Sequence, residues 1–169
     1  MNISLCKMTK QLHRQFLIDF TNDPELFEDM AQFSEYRYHK AAADARWQRQ
    51  QELGRIHLAI LLNGDPVGEV ILKNIQNNTA TLSIHMQNDS VKNQGYGTQA
   101  EILTLDYAFE VLGIQTVFAD AIHKNKRSQR VLEKVGFRKT HSDNHFVYYR
   151  CDRESWDGMK YQRKAASSN

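Results

Sequence analysis

Three apolar segments separated by short turn sequences follow Gly54, and they constrain the fold more than any other feature of the chain. The first two, in residues 55–75, are separated by Asn63-Gly64-Asp65-Pro66, a sequence typical of a β-hairpin turn. The third, TATLSIHM at residues 79–86, follows a Gln-Asn-Asn turn. Short apolar runs joined by such turns predict three successive antiparallel strands.

The residues before Gly54 predict one strand and three helices. The first segment alternates apolar and polar residues as a strand does, and Leu12, Phe16 and Phe20 then recur at helical spacing. Asp23 before a proline is a typical start for a second helix. The third helix is rich in strong helix formers and ends at Gly54. The predicted elements are a strand at 2–8 and helices at 9–23, 24–33 and 39–54.

The chain after residue 89 alternates between loop, helix and strand. A glycine-rich loop leads into a long helix, followed by a strand, a second helix and a final hairpin turned at residues 142–144. The predicted bounds are 98–112, 115–122, 125–136 and 137–152. This order predicts an α+β fold with a mixed, mostly antiparallel sheet of about seven strands flanked by helices.

The composition is that of a soluble globular protein. Hydrophobic residues make up 41% and charged residues 25% of the 169 residues, so we expect one domain, with N-terminal elements at 1–57, a core at 58–152 and a tail at 153–169. A net charge of +2 indicates neither a nucleic-acid nor a membrane partner. Cys6 and Cys151 are too few and too far apart to predict a disulfide framework or a cysteine metal site. Without a signal-peptide pattern or a long apolar run, a cytoplasmic location is expected.

The glycine-rich loop at 90–97 has the chemistry of a phosphate site. Gly95 and Gly97 lack a Cβ atom, so a ligand can approach the main chain closely. The helix that follows directs free amide groups and the positive end of its dipole toward the loop, and Lys92 adds a mobile cation. The sequence therefore predicts a site for a pyrophosphate-containing cofactor.

Several cofactors could occupy such a loop. A Walker loop is excluded because no Gly-Lys-Ser/Thr sequence closes it. Gly95-x-Gly97-x-x-Ala100 fits the dinucleotide fingerprint, and Asp120 lies near the distance expected for a ribose-binding acid, although inside a predicted strand. A turn that only caps the helix is the simplest alternative. Both a dinucleotide and another pyrophosphate-containing cofactor are therefore possible ligands of the loop.

A second motif lies about 30 residues downstream. Residues 125–137, NKRSQRVLEKVGF, contain Asn-x-x-Ser followed by Lys-x-Gly-Phe. Together with KNQGYG at 92–97, which aligns with an Arg/Gln-x-x-Gly-x-Gly/Ala signature with Lys92 at its first position, this motif resembles the acetyl-CoA-binding half of the GNAT N-acetyltransferases. The closest resemblance is to the branch that contains ribosomal-protein N-terminal acetyltransferases, and residues 80–150 carry it.

The resemblance implies the GNAT fold, in which the strands at 79–86 and 115–122 splay apart and form a cleft for coenzyme A. It also implies that acetyl-CoA is the co-substrate, that its pantetheine arm lies beside His85 and Met86, and that a primary amine attacks the acetyl group directly. We expect no metal. The implied cofactor-binding residues are Met86, Lys92, Asn93, Gln94, Gly95, Tyr96, Gly97, Thr98, Asn125 and Ser128.

One position departs from the family pattern. Many members carry a tyrosine that protonates the CoA thiolate seven residues after the motif asparagine, and this chain has Leu132 there. Either another group serves, Ser128 being the nearest candidate, or the thiolate leaves without assistance. Ser128 could equally be a small packing residue, and Asn125 is expected to cap its helix.

Three groups are considered for the general base that deprotonates the amine: His85, Glu69, and the pair His141 and His145. His85 titrates in a suitable range and lies on the strand face opposite Leu82, Ile84 and Met86, a face that could be cleft or solvent. Glu69 is a carboxylate within an apolar strand, and it could reach the cleft or lie exposed at a sheet edge. His141 and His145 flank the hairpin turn and could line the mouth of the acceptor site. They are not expected to bind a metal, because a zinc pair at this spacing is expected on a helix.

The resemblance assigns acceptor recognition to the N-terminal helices. Phe33, Tyr36 and Tyr38 lie between two predicted helices, where they could form a pocket wall or belong to the core. The expected partner is an amine, either a peptide N-terminus or a small molecule. The segment HFVYYRCD at 145–152 could pair with a second copy as an edge strand, so a monomer or a homodimer is expected.

Two other functions are compatible with the sequence. A non-catalytic acyl-CoA-binding module would account for the absence of the tyrosine. A small dinucleotide-binding protein would use Gly95, Gly97 and Asp120.

Overall fold

The observed elements follow the predicted order, with differences toward both ends of the chain. A computed structural model describes residues 2–167, without the side chain of Tyr161. The strands are β1 (Ile3–Lys7), β2 (Ile56–Leu62), β3 (Asp65–Gln76), β4 (Thr79–Met86), β5 (Thr116–Ile122), β6 (Arg138–Ser142) and β7 (Phe146–Asp152). The helices are α1 (Lys10–Ile18), α2 (Lys40–Glu52), α3 (Tyr96–Asp106), α4 (Lys126–Val135) and α5 (Arg153–Ser167), and α3 continues as a π-helical segment, Tyr107–Val111.

These strands form one sheet in the order β1-β2-β3-β4-β5-β7-β6. Neighbouring strands are antiparallel except for β4 and β5, which are parallel. The predicted α+β class, with a mixed and mostly antiparallel sheet of seven strands, is confirmed. β6 forms the edge and β7 lies between β5 and β6, so the expectation that residues 145–152 form an exposed edge strand was wrong.

β4 and β5 are paired over only a short distance. Residues 79–81 pair with residues 116–118, whereas residues 82–86 and 119–122 continue without pairing to each other. The sheet therefore opens between the two strands, as the resemblance implies. At the opening, backbone groups of β4 face a gap instead of a partner strand.

Asparagine and glycine residues form the two tight turns that connect β2, β3 and β4. Asn63 and Gly64 have φ of 53° and 96°, and Asn77 and Asn78 have φ of 50° and 58°. Positive φ at both central residues is the requirement of a type I′ turn, whose twist matches that of antiparallel strands. Both turn predictions are confirmed.

Helices cover both faces of the sheet. The larger core cluster includes Val70, Leu72, Leu105, Phe109 and Trp156. A smaller cluster, formed where α1 and α2 pack on the other face, contains Phe16, Leu17 and Ala43. Successive residues of a strand point to opposite faces of a sheet. Val70 belongs to the larger core, so its neighbour Glu69 points to the other face of β3, where α1 and α2 pack.

The second predicted helix does not form. Residues 24–33 contain two 3-10 turns, Pro24–Leu26 and Met30–Gln32. The carboxylates of Asp23 and Asp29 each accept a hydrogen bond from the backbone N–H two residues later. Neither turn buries a residue, so no packing extends it into a longer helix.

The prediction of a tail at 153–169 was wrong for residues 153–167, which form α5. The Trp156 side chain is fully buried in the core, and its indole N–H donates to Asp106 at 2.9 Å. This contact anchors the helix to the body of the protein. Residues 168 and 169 lie outside the described part of the chain. None of the helices within residues 2–167 has the length and apolar character required to cross a membrane.

Candidate active site

The opening between β4 and β5 leads into two adjoining cavities. The first extends to the glycine-rich loop, and the second lies along β5, where Asp120 and Leu132 line it. The cavities share the lining residues Leu26, Ile84, His85, Glu101, Asn125 and Ser128. The loop, the splayed strands and the start of α4 therefore meet at one place.

The glycine-rich loop presents its backbone to the first cavity. Asn93 and Gly95 have φ of 59° and 82°, and Gly95 precedes the first residue of α3. A Cβ atom at Gly97 would have only the Met86 sulfur near it, at 4.0 Å. The first amides of α3 therefore lack side-chain cover, and with the helix dipole they suit a phosphate group.

The charges beside the loop form a compact cluster. The Lys92 side chain is 7% exposed, and its ammonium group binds Asp23 at 2.9 Å and Asp89 at 3.0 Å, so the expectation of a mobile cation was wrong. Arg127 also binds Asp23. Burial raises the pKa of Asp23, but hydrogen bonds from Lys92, the Glu25 amide and Arg127 lower it below its usual value. Arg127, 37% exposed, is the more accessible of the two cations.

Most predicted cofactor-binding residues surround this space. The ones that line the first cavity are Met86, Lys92, Asn93, Gly95, Gly97, Thr98, Asn125 and Ser128. Gln94 and Tyr96 do not line it, because the Gln94 carboxamide donates to the Ser90 carbonyl and the Tyr96 ring lies in the core. Asn125 caps α4 as predicted, by accepting a hydrogen bond from the Ser128 amide at 3.1 Å.

Glu69 is the centre of a buried polar cluster on the α1–α2 face. Its carboxylate accepts hydrogen bonds from His57 Nε2 at 2.7 Å, from His85 Nδ1 at 3.0 Å and from the Arg46 guanidinium. His85 lies directly opposite Glu69 in the β3–β4 register. The alternative of an exposed glutamate at a sheet edge was wrong, because β3 is an inner strand and Glu69 is 1% exposed.

The donors around Glu69 determine its charge and the tautomer of His85. Burial raises the pKa of Glu69, but hydrogen bonds from His57, His85 and Arg46 and the charge of Arg46 hold it well below its usual value. Because an ionised carboxylate only accepts hydrogen bonds, neutral His85 carries its proton on Nδ1 and its lone pair on Nε2. The His85 side chain is 34% exposed and lines both cavities.

A fifth polar residue, His13, completes the cluster. Burial and the charge of Arg46 lower the pKa of His13 to about 4, so it is neutral and accepts a hydrogen bond from Arg46. His13, His57 and Glu69 have ligand atoms within 4.8 Å of one another, a spacing that a metal ion could bridge. The Arg46 guanidinium already contacts His13 and Glu69, so a metal ion would have to displace an existing cation.

The two histidines of the C-terminal hairpin are engaged separately. The His141 ring stacks on Tyr148 with a centroid distance of 4.5 Å, and His145 Nδ1 contacts the Glu28 carboxylate at 2.9 Å. Neither histidine lines the two cavities. The contact with Glu28 raises the pKa of His145.

The predicted acceptor-binding aromatic residues do not line the two cavities. Phe33 packs edge-on against Phe27, and Tyr36 packs edge-on against Phe20, with centroid distances of 5.5 and 5.2 Å. Tyr38 packs against the α1–α2 cluster. Phe20 lines the first cavity, whereas none of the three predicted residues does. Their part in acceptor binding stays a prediction.

Sequence reasoning missed several residues of the site: His13, Arg46, His57, Glu101 and Arg127. Glu101 is 2% exposed, its Oε2 atom has no hydrogen-bond partner among residues 2–167 as described, and burial raises its pKa to about 8. One signal was available, because Glu101 recurs at helical spacing with the buried residues Leu105 and Ala108 of the same helical face. The partners of Glu69 gave no such signal, because they come from separate segments.

The surroundings of the loop do not resemble a dinucleotide fold. β4, the strand that leads into the loop, pairs antiparallel with β3, whereas the fingerprint belongs to parallel strand–helix–strand units. Asp120 lies within β5 rather than at its end. The dinucleotide alternative is therefore not supported by the fold.

Comparison with known proteins identifies the architecture. The sequence profile of the acetyltransferase (GNAT) domain matches residues 3–138. A search of the curated proteins finds no significant match. Similar solved structures include a ribosomal-protein-S5-alanine acetyltransferase from Vibrio fischeri, with 14% identity, a TM-score of 0.72 and coverage of 92% of this chain and 96% of that one.

Two further structures extend this similarity. An aminoglycoside acetyltransferase, AAC(6')-Ib, in complex with coenzyme A has 16% identity and a TM-score of 0.79, with coverage of 94% of this chain and 99% of that one. A structure described as a putative acetyltransferase from T. thermophilus has 22% identity and a TM-score of 0.75, with coverage of 98% and 94%. At these identities the likeness concerns the fold.

Proposed function

Because the chain belongs to the acetyltransferase (GNAT) family, we propose that it transfers an acetyl group from acetyl-CoA to a primary amine by direct attack. One observation carries the proposal: a single cavity connects the amides of the glycine-rich loop with the exposed side of His85. A pyrophosphate can be held at one end and a proton removed at the other. We also propose that the residues of the chain act as one domain.

The lining of this cavity fits coenzyme A. The amides of Gly95, Gly97 and Thr98 would hold the pyrophosphate, and Arg127 would add a positive charge. The stretch of β4 that ends at Met86 has no partner on the side of β5, so it would hydrogen-bond the pantetheine amides as a neighbouring strand does. When bound, acetyl-CoA supplies an activated acetyl thioester.

We assign the role of general base to His85. Glu69 holds the imidazole through Nδ1, which leaves the Nε2 lone pair to take a proton from the ammonium group of the acceptor. Glu69 is enclosed by its own partners and therefore acts as a positioning residue. A backbone amide at the end of β4 would polarise the acetyl carbonyl, and the Ser128 hydroxyl would donate a hydrogen bond to the sulfur.

The acceptor in this proposal is a primary amine on a peptide or a small molecule. Two of the similar structures are enzymes named for ribosomal-protein-S5-alanine and for aminoglycosides, and both kinds of acceptor contain amino groups. We also propose that the chain belongs to the branch that contains the ribosomal-protein N-terminal acetyltransferases. Phe20, Thr21 and Leu26 line the cavity on the side where the acceptor would enter, with Tyr36 behind Phe20.

Replacing Gly97 with glutamate tests the cofactor site. The new side chain would enter the first cavity and place a negative charge beside the phosphates, so Gly97→Glu is expected to weaken acetyl-CoA binding at least about 100-fold in calorimetric titration. Gly158→Glu is the matched control, because this glycine is also helical and also faces open space. Equal affinities of the two variants would exclude the loop from the site, and binding of NAD instead of acetyl-CoA would overturn the proposal.

Turnover is measured as release of free CoA thiol with a panel of primary amines. The panel comprises peptides with free N-termini, a polyamine, an aminoglycoside and amino acids. His85→Ala is expected to lower kcat and leave the affinity for acetyl-CoA unchanged. Tight binding of acetyl-CoA with no thiol release for any amine would instead support a non-catalytic acyl-CoA-binding module.

A further inference from the structure

Glu101 is a buried acid that the transfer, as described so far, does not use. It lies on α3, is 2% exposed and lines both cavities. Its Oε2 atom has no hydrogen-bond partner in the described part of the chain. Buried polar groups are normally paired, so a carboxyl oxygen without a partner, on a residue that lines a cavity, points to a ligand.

The position of Glu101 restricts the role that this residue can have in the transfer. Among the residues that line both cavities, the titratable ones are His85 and Glu101. His85 is held by Glu69 with a lone pair available, as a base requires. Glu101 has no such partner and is left to act as a proton donor. Leu132, which lines the second cavity, carries no proton to donate.

Other charged groups along the cavities do not compete for this role. Lys92 and Arg127 both bind the Asp23 carboxylate at the loop end of the first cavity. Asp120 lies on β5 and lines only the second cavity. Glu101 is thus the acid that lies where the two cavities join.

We propose that Glu101 is the general acid of the transfer and donates its carboxyl proton to the sulfur that leaves the acetyl group. This inference rests on the proposed function. The amine nitrogen forms a bond to the acetyl carbon, the carbon–sulfur bond breaks with its electron pair on sulfur, and the Glu101 O–H bond breaks as the proton moves to sulfur. Before the attack, His85 takes the first of the two protons that the ammonium nitrogen must lose and later releases it to water. After the attack, the nitrogen releases its second proton to water, and water returns one proton to Glu101.

The environment of Glu101 keeps its carboxyl group protonated at neutral pH. Burial alone raises the pKa of the carboxyl to about 8, so the acid form predominates at pH 7. A donor with a pKa close to the working pH is effective, because it is both protonated and able to release its proton.

The decisive variant is Glu101→Gln, which keeps the shape and a hydrogen-bond donor but removes the transferable proton. We expect kcat to fall about 10- to 100-fold with little change in KM for acetyl-CoA. Wild-type kcat is expected to decline above about pH 8 as Glu101 ionises, and the variant is expected to lack that decline. Glu110→Gln, on the exposed π-helical continuation of α3, is the matched control.

A purely structural role of Glu101 would raise KM and leave the pH profile of kcat unchanged. Rescue distinguishes the two roles further. Leu132→Tyr in the Glu101→Gln background places a phenol in the second cavity, and it is expected to restore part of kcat. Binding of acetyl-CoA by each variant checks that the site has folded.

Infrared difference spectroscopy gives a readout that does not depend on turnover. The wild type at pH 7 is expected to show a protonated carboxyl band that Glu101→Gln lacks and that shifts when CoA binds. Absence of this band in the wild type overturns the inference even if the variant does not fold. If the wild type acetylates no amine, both proposals fail, whereas wild-type transfer that Glu101→Gln matches in kcat and pH profile overturns the role of Glu101 alone.

Discussion

Glu69 and Glu101 are two glutamates with nearly equal exposure, 1% and 2%, and with opposite states of charge. Glu69, on the α1–α2 side of the sheet, accepts hydrogen bonds from His57, His85 and Arg46, and its pKa lies well below the usual value. Glu101, on α3, has an unpaired carboxyl oxygen, and its pKa is raised to about 8.

The difference shows that the partners of a buried carboxyl decide its charge. Burial raises the pKa of both residues, and only at Glu69 do three donors and a guanidinium charge outweigh it. Two residues of the same type can therefore hold a base in position on one side of a cleft and hold a proton on the other.

The largest expected effect comes from removing the charge of Glu69. Glu69→Gln is expected to lower the free energy of unfolding by about 3–5 kcal/mol, because Arg46 and two imidazoles lose a buried ionised acceptor. Urea denaturation at pH 7 measures this change. If the free energy of unfolding falls by less than about 1 kcal/mol, Glu69 is not the ionised acceptor on which the cluster depends.

The same substitution at Glu101 is expected to have the opposite sign. The pKa of Glu101 is about 8 in the folded state and near 4.5 when unfolded, so its contribution is fully present below pH 4.5 and is lost as the pH rises to about 8. The glutamine of Glu101→Gln does not titrate, so the variant lacks this pH-dependent loss of stability. The free energy of unfolding of the variant, relative to that of the wild type, should rise by up to about 1.4 kcal/mol per pH unit across that range.

Denaturation of both proteins at pH 5 and pH 8 tests this expectation. The two proteins should differ little at pH 5, and the variant should be the more stable one at pH 8. A constant difference between the two pH values would show that Glu101 is ionised in the folded protein.

A smaller effect is expected from the cation of the Glu69 cluster. The Arg46 side chain is 35% exposed, so solvent screens its interaction with Glu69, and Arg46→Met is expected to lower the free energy of unfolding by about 1–2 kcal/mol. Arg49→Met, an exposed position on the same helix, should change it by less than about 0.5 kcal/mol. If the free energy of unfolding falls equally in the two arginine variants, the hydrogen bonds from His57 and His85 are sufficient to keep Glu69 ionised.

Much of the fold was predictable because its signals are local. The asparagine-glycine turns, the glycine-rich loop and the Asn125 cap each depend on a few adjacent residues. The helix predicted at 24–33 failed because each aspartate caps its own short turn. Of the helical face predicted from Leu12, Phe16 and Phe20, Phe16 is buried, whereas Leu12 and Phe20 are only partly buried. The other buried residues of α1 are His13 and Leu17.

The site was less predictable because its residues meet only through tertiary contacts. The sequence indicates His85 and Glu69 as candidates, but the Arg46 and His57 that hold them come from α2 and β2. Lys92 looks like a free cation until Asp23 is placed beside it. No local pattern contains these contacts.

The splay of β4 and β5 has a consequence for aggregation. A strand edge with unpaired N–H and C=O groups is normally a hazard, because a strand of another molecule can add to it. Here the unpaired stretches, 82–86 and 119–122, lie inside the sheet rather than at its rim, with β3 and β7 on their other sides. A strand of another molecule therefore meets paired strands on both sides of these stretches rather than an open rim of the sheet.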